Sequence, residues 1–128
     1  MVSESPLNVR TVAGVATLTL DRPKIHNAFD DLLIDALIDA LRAVEEDNAV
    51  RVVVLTGAGA SFSAGADLNW MKRMAQASEK ENRKDARQLA KLMRVLNHLD
   101  KPTVARVNGA ALGGGVGLVA CCDIAIAS

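Results

Sequence analysis

Short apolar runs that alternate with segments of helical periodicity constrain the fold of this chain most. Residues 15–20, 50–55, 103–107 and 123–127 have the length and the β-branched content of strands. Strands that are separated by helices need crossover connections, which place them parallel in one sheet. We therefore predict an α/β fold with the element order β-β-α-β-α-β-α-β in a single domain.

Local signals define most of these elements. Residues 7–20 read as a β-hairpin around Ala13-Gly14. Asp30 or Asp31 is a predicted N-cap for a helix to about Asp47, because a carboxylate accepts unpaired N–H groups there. Apolar residues three or four apart predict further helices from about 86 to 98 and from 114 to 121. The strongly polar residues 75–85 are predicted to be a mobile loop that leads into the helix at about 86–98.

Composition excludes several classes of function. Lys+Arg and Asp+Glu both number 15, so the chain has no general electrostatic reason to bind nucleic acid or an anionic membrane. No apolar run reaches the roughly 18 residues that a membrane span needs. No Cys, His and carboxylate cluster has metal-ligand spacing, so no metal is expected. The adjacent Cys121 and Cys122 are expected to be buried free thiols in a reducing cytoplasm.

Two segments of small residues are unusual as structure. Residues 63–67 (SAGAD) follow a predicted strand, and residues 112–115 (LGGG) precede a predicted helix. Such backbone approaches a ligand closely, and the first N–H groups of a helix lack intrahelical partners. Two convergent N–H groups would form an oxyanion hole, worth roughly 3–4 kcal/mol per donor in a transition state. The alternative is that these glycines only permit turns and tight packing. A dinucleotide-binding site at residues 57–59 is not favoured, because the fingerprint there lacks its third glycine.

Three motifs resemble those of the crotonase (enoyl-CoA hydratase/isomerase) family. They are residues 20–29 (LDRPKIHNAF), residues 62–68 (FSAGADL), and residues 101–105 (KPTVA) continuing through 108–115 (NGAALGGG) to 122–125 (CDIA). The resemblance implies a spiral of ββα units. Subunits of this family are about twice as long, so we expect residues 1–128 to be the N-terminal part of one truncated crotonase-like domain.

The resemblance also implies a site for an acyl-CoA thioester. The backbone N–H groups of Ala66 and Gly114 would form the oxyanion hole. The other positions that match the family's coenzyme A or substrate contacts are Lys24, Ile25, His26, Ala64, Asp67, Leu68, Leu112, Gly113 and Gly117. Lys24 or Arg22 would face a phosphate, or else be simply solvated. Coenzyme A is then part of the substrate, and the full-length parent would be a homotrimer or a hexamer.

Proton transfer is where the chain departs from the family pattern. Hydratases of the family use two glutamates, one of them three residues after the middle glycine of the triplet. That position is Gly117 here, and the second glutamate would lie beyond Ser128. His98 is interpreted as a helix cap and Asp123 as an acceptor for backbone N–H groups. Ser61 and Ser63 have no predicted histidine partner, which argues against a serine nucleophile.

The resulting hypothesis is hydration of a short or branched 2-enoyl-CoA through an oxyanion-stabilised thioester enolate. Gly117 would leave room for a bulky or carboxylated acyl group such as that of 3-methylglutaconyl-CoA. One alternative is isomerisation or another enolate reaction. The other alternative is an acyl-CoA-binding fragment without catalytic activity.

Overall fold

The computed structural model describes residues 5–128, which form a five-stranded sheet, a single 3-10 turn and four α-helices. The prediction of an α/β fold is therefore confirmed. In chain order the elements are β1 (Leu7–Val12), β2 (Val15–Leu20), the 3-10 turn (Pro23–Ile25), α1 (Asp31–Glu46), β3 (Val52–Gly57), α2 (Leu68–Gln76), α3 (Glu79–Asn97), β4 (Thr103–Val107), α4 (Gly114–Cys121) and β5 (Ile124–Ala127).

The sheet has the spatial order β1-β2-β3-β4-β5. The β1–β2 pair is an antiparallel hairpin, and its turn residues Ala13 and Gly14 both have positive φ. All the other neighbouring pairs are parallel. Parallel neighbours end at the same edge of a sheet, so the loops after β2, β3 and β4 must emerge side by side. This topology brings together the three motifs that the sequence separates.

Helix α1 buries its apolar stripe as predicted. Leu33, Leu37 and Leu41 are each at most 1% exposed and belong to the main core with the inward side chains of the sheet. The predicted N-cap is also confirmed, because the Asp30 carboxylate accepts a hydrogen bond of 3.0 Å from the Leu33 N–H. Capping fixes where the helix starts, and Asp30 is itself the last residue of the loop that follows β2.

The prediction for residues 75–85 was wrong. Helix α2 continues to Gln76, and α3 begins at Glu79, with the Ser78 side chain accepting a hydrogen bond of 3.2 Å from the Glu81 N–H. The acidic residues Glu79 and Glu81 then stand at the positive end of the α3 dipole. The polar run is therefore the solvated first half of a helix, and two helices connect β3 to β4 where one was predicted.

A reciprocal contact joins the beginnings of β4 and β5. The Asp123 carboxylate accepts a hydrogen bond of 2.8 Å from the Thr103 N–H, and the Thr103 hydroxyl accepts one of 2.9 Å from the Asp123 N–H. The interpretation of Asp123 as an acceptor for backbone N–H groups is thereby confirmed. Among residues 5–128, no helix is both long and apolar enough to cross a bilayer.

Candidate functional site

Three loops pair with one another beyond the carboxyl ends of β2, β3 and β4. Phe29 in the first loop forms a parallel bridge with Ala66 in the second, and Ser63 in the second forms another with Ala111 in the third. The Ala64 N–H also donates to the His26 carbonyl at 2.9 Å. The middle segment, residues 63–67, is therefore held between the other two like a short strand.

The pairing determines which way the N–H group of Ala66 points. The Phe29 N–H donates to the Gly65 carbonyl, and the Phe29 carbonyl accepts from the Asp67 N–H, both at 2.8 Å. In a parallel bridge of this kind, the residue between the two bonded neighbours directs its own polar groups to the opposite side. Within residues 5–128 the Ala66 N–H has no hydrogen-bond acceptor, and it faces away from the first loop.

The second N–H group belongs to Gly114, the first residue of α4. In this turn the Gly115 N–H donates to the Leu112 carbonyl at 2.8 Å and the Val116 N–H to the Gly113 carbonyl at 3.0 Å. The Gly114 N–H has no acceptor in the described part of the chain. It thus lies at the positive end of a helix dipole, where negative charge is favoured.

Gly65 lets the segments that carry these two donors come close. Its φ of +91° lies in the region that side chains disfavour. A Cβ at this position would lie 2.9 Å from the Leu112 carbonyl oxygen and 3.5 Å from the Gly114 nitrogen. The close approach therefore requires glycine at position 65, and it places the residue before Ala66 directly against the start of α4.

A buried amide holds the first loop against the second. Asn27 is fully buried, and its Oδ1 accepts from the Arg22 N–H at 2.8 Å. Its Nδ2 donates to the carbonyls of Ala58 and Ser61 at 2.8 and 2.9 Å. These bonds satisfy three main-chain groups of the two loops with one side chain. The sequence analysis did not identify Asn27 as a functional position.

Two residues with predicted roles in coenzyme A binding have partners inside the protein. The Arg22 guanidinium forms ion pairs with Asp30 and Asp67, so it is not simply solvated, and its internal partners argue against Arg22 as the residue that faces a phosphate. The Asp67 carboxylate also caps α2 by accepting from the Asn69 N–H at 2.7 Å. Lys24, in contrast, is exposed.

The remaining coenzyme A candidates form an accessible surface. Ile25 is 40% exposed, and it lines an open cleft together with Lys24 and Leu32. His26 is exposed, and its Nδ1 lies 2.9 Å from the Ser61 hydroxyl. The statement that Ser61 has no histidine partner was therefore wrong, since the left-handed backbone at His26 turns its ring onto the second loop.

Apolar side chains flank the two unpaired N–H groups. Leu68 and Met71 on α2 are 72% and 51% exposed, whereas Leu112 and Val116 beside Gly114 are 58% and 53% exposed. Ala64 is half-buried and Gly113 is exposed. Trp70 on α2, in contrast, is 5% exposed and belongs to the core.

The space beside Gly117 is smaller than expected. A Cβ at this position would lie 3.1 Å from the methyl carbon of Met93 and 3.6 Å from its sulfur. Met93 therefore occupies the volume that was predicted to be free for an acyl group. Gly117 lies on α4 and faces α3, whereas Leu112 and Gly113 precede α4 beside the second loop.

Neither cysteine forms a disulfide, and both are half-buried rather than fully buried. The pKa of the Cys122 thiol is raised to about 11, mainly by burial; a hydrogen bond with Thr103 opposes the rise, and the nearby Cys121 and Asp123 add to it. Burial also raises the pKa of Cys121. Groups of three or more His, Cys, Asp or Glu residues that could hold a metal ion do not occur within residues 5–128.

We expect Cys122 to react slowly with iodoacetamide, because the thiolate is the nucleophile. A pKa of about 11 in place of 9.0 leaves about a hundredfold less thiolate at pH 8. The alkylation rate of Cys122, followed by mass spectrometry of the folded protein, should therefore rise about a hundredfold between pH 8 and pH 10, whereas a thiol with a pKa of 9.0 rises only about tenfold. A rise of only about tenfold would contradict the raised pKa, and the urea-unfolded chain is the control.

Comparisons with known proteins agree on one family. A family model described as "Enoyl-CoA hydratase/isomerase" matches residues 10–128. The 4-chlorobenzoyl coenzyme A dehalogenase-1 of Arthrobacter sp. is 40% identical over 97% of this chain, which spans 45% of that protein. The short-chain-enoyl-CoA hydratase of Clostridium acetobutylicum is 44% identical over 89% of this chain and 43% of its own length.

Solved structures share the fold closely. An enoyl-CoA hydratase from Shewanella pealeana superposes with a TM-score of 0.93 at 43% identity, over 95% of this chain and 46% of the other. A protein from Legionella pneumophila, described as a putative enoyl-CoA hydratase/isomerase (crotonase), has a TM-score of 0.94 at 47% identity, over 98% of this chain and 48% of the other. The chain thus spans about half the length of the relatives that it matches.

Proposed function

The chain belongs to the enoyl-CoA hydratase/isomerase family, and from this membership we propose that it binds the thioester carbonyl of an acyl-CoA through the N–H groups of Ala66 and Gly114. The observation that carries the proposal is that both N–H groups lack an acceptor within residues 5–128, while paired loops hold their segments together. A carbonyl oxygen accepts two such hydrogen bonds, and it gains negative charge when the thioester becomes an enolate.

This arrangement suits enolate chemistry because the donors are fixed before the substrate arrives. The bridge to Phe29 holds Ala66, and the first turn of α4 holds Gly114. Preorganised donors of this kind contribute roughly 3–4 kcal/mol each when charge develops on the oxygen. The dipole of α4 adds to the stabilisation of negative charge.

The remainder of the coenzyme A would lie along the first loop. Lys24 is an exposed cation that is available to a phosphate, and Ile25 and His26 are exposed beside it. The exposed side chains of Leu68 and Leu112 are available to the acyl chain and the pantetheine arm. Asp67 would contribute through the position of the second loop, since its carboxylate already binds Arg22 and the start of α2.

The proposed reaction is hydration of a short 2-enoyl-CoA. Relatives whose names state this chemistry, among them the crotonyl-CoA hydratase of Syntrophomonas wolfei, support it. 3-Methylglutaconyl-CoA is a narrower, branched candidate, and the position of Met93 against Gly117 weakens the size argument for it. Gly117 has no side chain for proton transfer, so the groups that activate water must be supplied from another position.

A second candidate is a reaction of an acyl-CoA other than hydration, such as isomerisation. The absence of an acid or base at position 117 favours it, as does a relative that is 40% identical and named a dehalogenase of an aroyl-CoA. In both reactions the two N–H groups would stabilise the same oxyanion, because both reactions place negative charge on the thioester oxygen.

The binding proposal predicts selectivity for a carbonyl. We expect butyryl-CoA to bind at least about tenfold more tightly than the S-butyl thioether of coenzyme A, a difference of about 1.4 kcal/mol for the hydrogen bonds to the carbonyl. Isothermal titration calorimetry of the purified protein measures both affinities. Equal affinities would overturn the proposal, because coenzyme A and the alkyl chain are the same in the two ligands.

Turnover then separates the reactions. Loss of crotonyl-CoA or 3-methylglutaconyl-CoA to the 3-hydroxyacyl product supports hydration, whereas exchange of deuterium into the substrate without net hydration supports isomerisation. Chloride release from 4-chlorobenzoyl-CoA would support the reaction named for the Arthrobacter relative. Thioester-selective binding without any of these products supports a non-catalytic acyl-CoA-binding role.

We also propose that the functional form is a homotrimer or a hexamer, that no cofactor beyond the substrate's coenzyme A is needed, and that the protein acts in the cytoplasm. The exposed Ile124 and Ile126, at 56% and 58%, support a subunit or domain contact at β5. The two free thiols support a reducing compartment.

Light scattering of the thioester-bound species measures its mass, and a monomer would overturn the assembly proposed here. Undiminished turnover after dialysis against a chelator supports the lack of a cofactor, and localisation of a tagged protein outside the cytoplasm would overturn the compartment.

A further inference from the structure

We infer that Arg22 is a positioning residue for the Ala66 donor, which it holds in place through Asp67. The inference rests on the proposed function, because it concerns how accurately the N–H group of Ala66 meets a thioester oxygen. Arg22 does not touch the proposed substrate. Its role would be to fix the second loop from the side opposite to the bound carbonyl.

The guanidinium contacts three groups that belong to different parts of the fold. Its Nη1 donates to the Ala28 carbonyl at 2.9 Å and lies 3.3 Å from Asp30 Oδ2. Its Nη2 donates to Asp67 Oδ2 at 3.1 Å. The side chains of Arg22, Asp30 and Asp67 are only 22%, 11% and 12% exposed, so solvent screens this cluster far less than a surface ion pair.

Both carboxylates have a second partner at the start of a helix. Asp30 Oδ1 accepts from the Leu33 N–H of α1 at 3.0 Å, and Asp67 Oδ1 accepts from the Asn69 N–H of α2 at 2.7 Å. One oxygen of each carboxylate thus caps a helix, and the other binds Arg22. A planar guanidinium with fixed donors is suited to joining two carboxylates in this way.

The position of Asp67 links this cluster to the proposed site. Asp67 follows Ala66 directly, and its own N–H donates to the Phe29 carbonyl. Arg22 is itself immobilised, because the Asn27 side chain accepts its backbone N–H. Without the guanidinium, the side chain next to the donor loses one of its two partners and keeps only the cap of α2, and two largely buried carboxylates lose their counter-charge. A displacement of about 1 Å in such a site reduces a rate by about a hundredfold.

A second ion pair in the same region provides a matched control. Arg73, in the last turn of α2, pairs with Asp31 at the start of α1 at 3.3 Å, so it also joins these two helices. Its side chains are 63% and 44% exposed, and neither residue adjoins Ala66. Loss of this pair is expected to have little effect. Arg22 and Arg73 therefore differ mainly in burial and in contact with the donor loop.

The experiment measures carbonyl recognition in the variants Arg22→Met, Arg22→Lys and Arg73→Met of the full chain. The probes are butyryl-CoA with a ¹³C-labelled carbonyl and the S-butyl thioether of coenzyme A. In Arg22→Met we expect the preference for the thioester over the thioether to fall about tenfold. The ¹³C chemical shift of the bound carbonyl should move toward that of free butyryl-CoA in solution. The affinity for the thioether should stay within about twofold of wild type. Arg22→Lys should recover part of the preference, and Arg73→Met should behave as wild type.

The outcomes distinguish this inference from the proposed function. A wild-type protein without thioester preference overturns the proposed function itself. A wild type with the preference, together with an Arg22→Met variant that keeps it, overturns the positioning role. Equal losses of thioester and thioether affinity in Arg22→Met also overturn it, because they indicate a merely structural role. If Arg22→Met does not fold, Asp67→Asn provides the same comparison, since it keeps the shape of the cap and removes the charge; an unchanged preference there overturns the inference.

Discussion

Replacing Gly114 by alanine is expected to abolish most of the thioester preference and to destabilise the fold. A Cβ at position 114 would overlap the tip of the Phe29 ring and would lie 3.1 Å from both of its adjacent ring carbons. Phe29 is 1% exposed and cannot move aside without disturbing the core. Overpacking of this kind costs about 1–3 kcal/mol, and displacement of the Gly114 donor reduces transition-state stabilisation by about a hundredfold. Urea unfolding measures the stability, and the thioester–thioether comparison measures the preference.

Gly117→Ala is the matched control in the same helix. The added methyl group would contact only the flexible end of Met93, at 3.1 Å from its methyl carbon. Alanine also has a helix propensity about 1 kcal/mol better than that of glycine, so the control should be neutral or slightly more stable. A second variant, Gly114→Ala combined with Phe29→Leu, should recover part of the binding because the smaller side chain makes room. If Gly114→Ala alone binds the thioester like wild type, the assignment of this donor is wrong.

Replacing Asn27 by alanine is expected to cause the largest loss of stability that a single polar substitution produces in this chain. The change removes the side-chain partner of the part-buried Arg22 N–H and Ala58 carbonyl. It also removes the shorter of two side-chain hydrogen bonds to the Ser61 carbonyl, which keeps one of 3.4 Å from Asn108 Nδ2. Each buried group that loses its partner costs about 1–3 kcal/mol, although water that enters the gap recovers part of this. Asn27 also has a φ of 55°, which alanine tolerates less well. We expect a loss of about 3–5 kcal/mol in the free energy of unfolding.

His26→Ala tests whether the buried network or the backbone conformation causes that loss. His26 has a φ of 53° and is thus under the same backbone restriction, but it is exposed and has one side-chain contact, with Ser61. Its replacement should cost about 1 kcal/mol, a normal value for one partly exposed hydrogen bond. Chemical denaturation of both variants gives the difference. Similar losses in the two would contradict the importance of the Asn27 network.

The sequence predicts much of the architecture because its elements follow local rules. The apolar stripe of α1 and the carboxylate at its start are readable without any tertiary information. The parallel sheet then follows from the alternation of strands and helices, and with it the proximity of the three motifs. The glycines at 65 and 114 indicated free N–H groups, and the structure places both segments side by side.

Features that depend on distant partners were not predictable in this way. Arg22 lies two positions before Lys24 in a polar loop, and nothing local indicates that its partner Asp67 lies 45 positions further along the chain. Helix α2 was missed because its nine residues are fewer than the 11–18 positions over which a helical period is normally recognised. The volume beside Gly117 was misjudged because Met93 reaches it from α3.

The two unpaired N–H groups of the paired loops belong to the polypeptide backbone, which bears on how such a protein changes over generations. Every residue except proline carries a backbone N–H, so among direct replacements at position 66 only proline would delete the donor itself. Under the proposed function, mutation can therefore alter many side chains around a thioester while both backbone donors persist for as long as the loops pair. The hydratase and the dehalogenase described above have similar sequence identities to this chain, 44% and 40%, although their names state different reactions. Conserved backbone donors with variable side chains would allow such a difference.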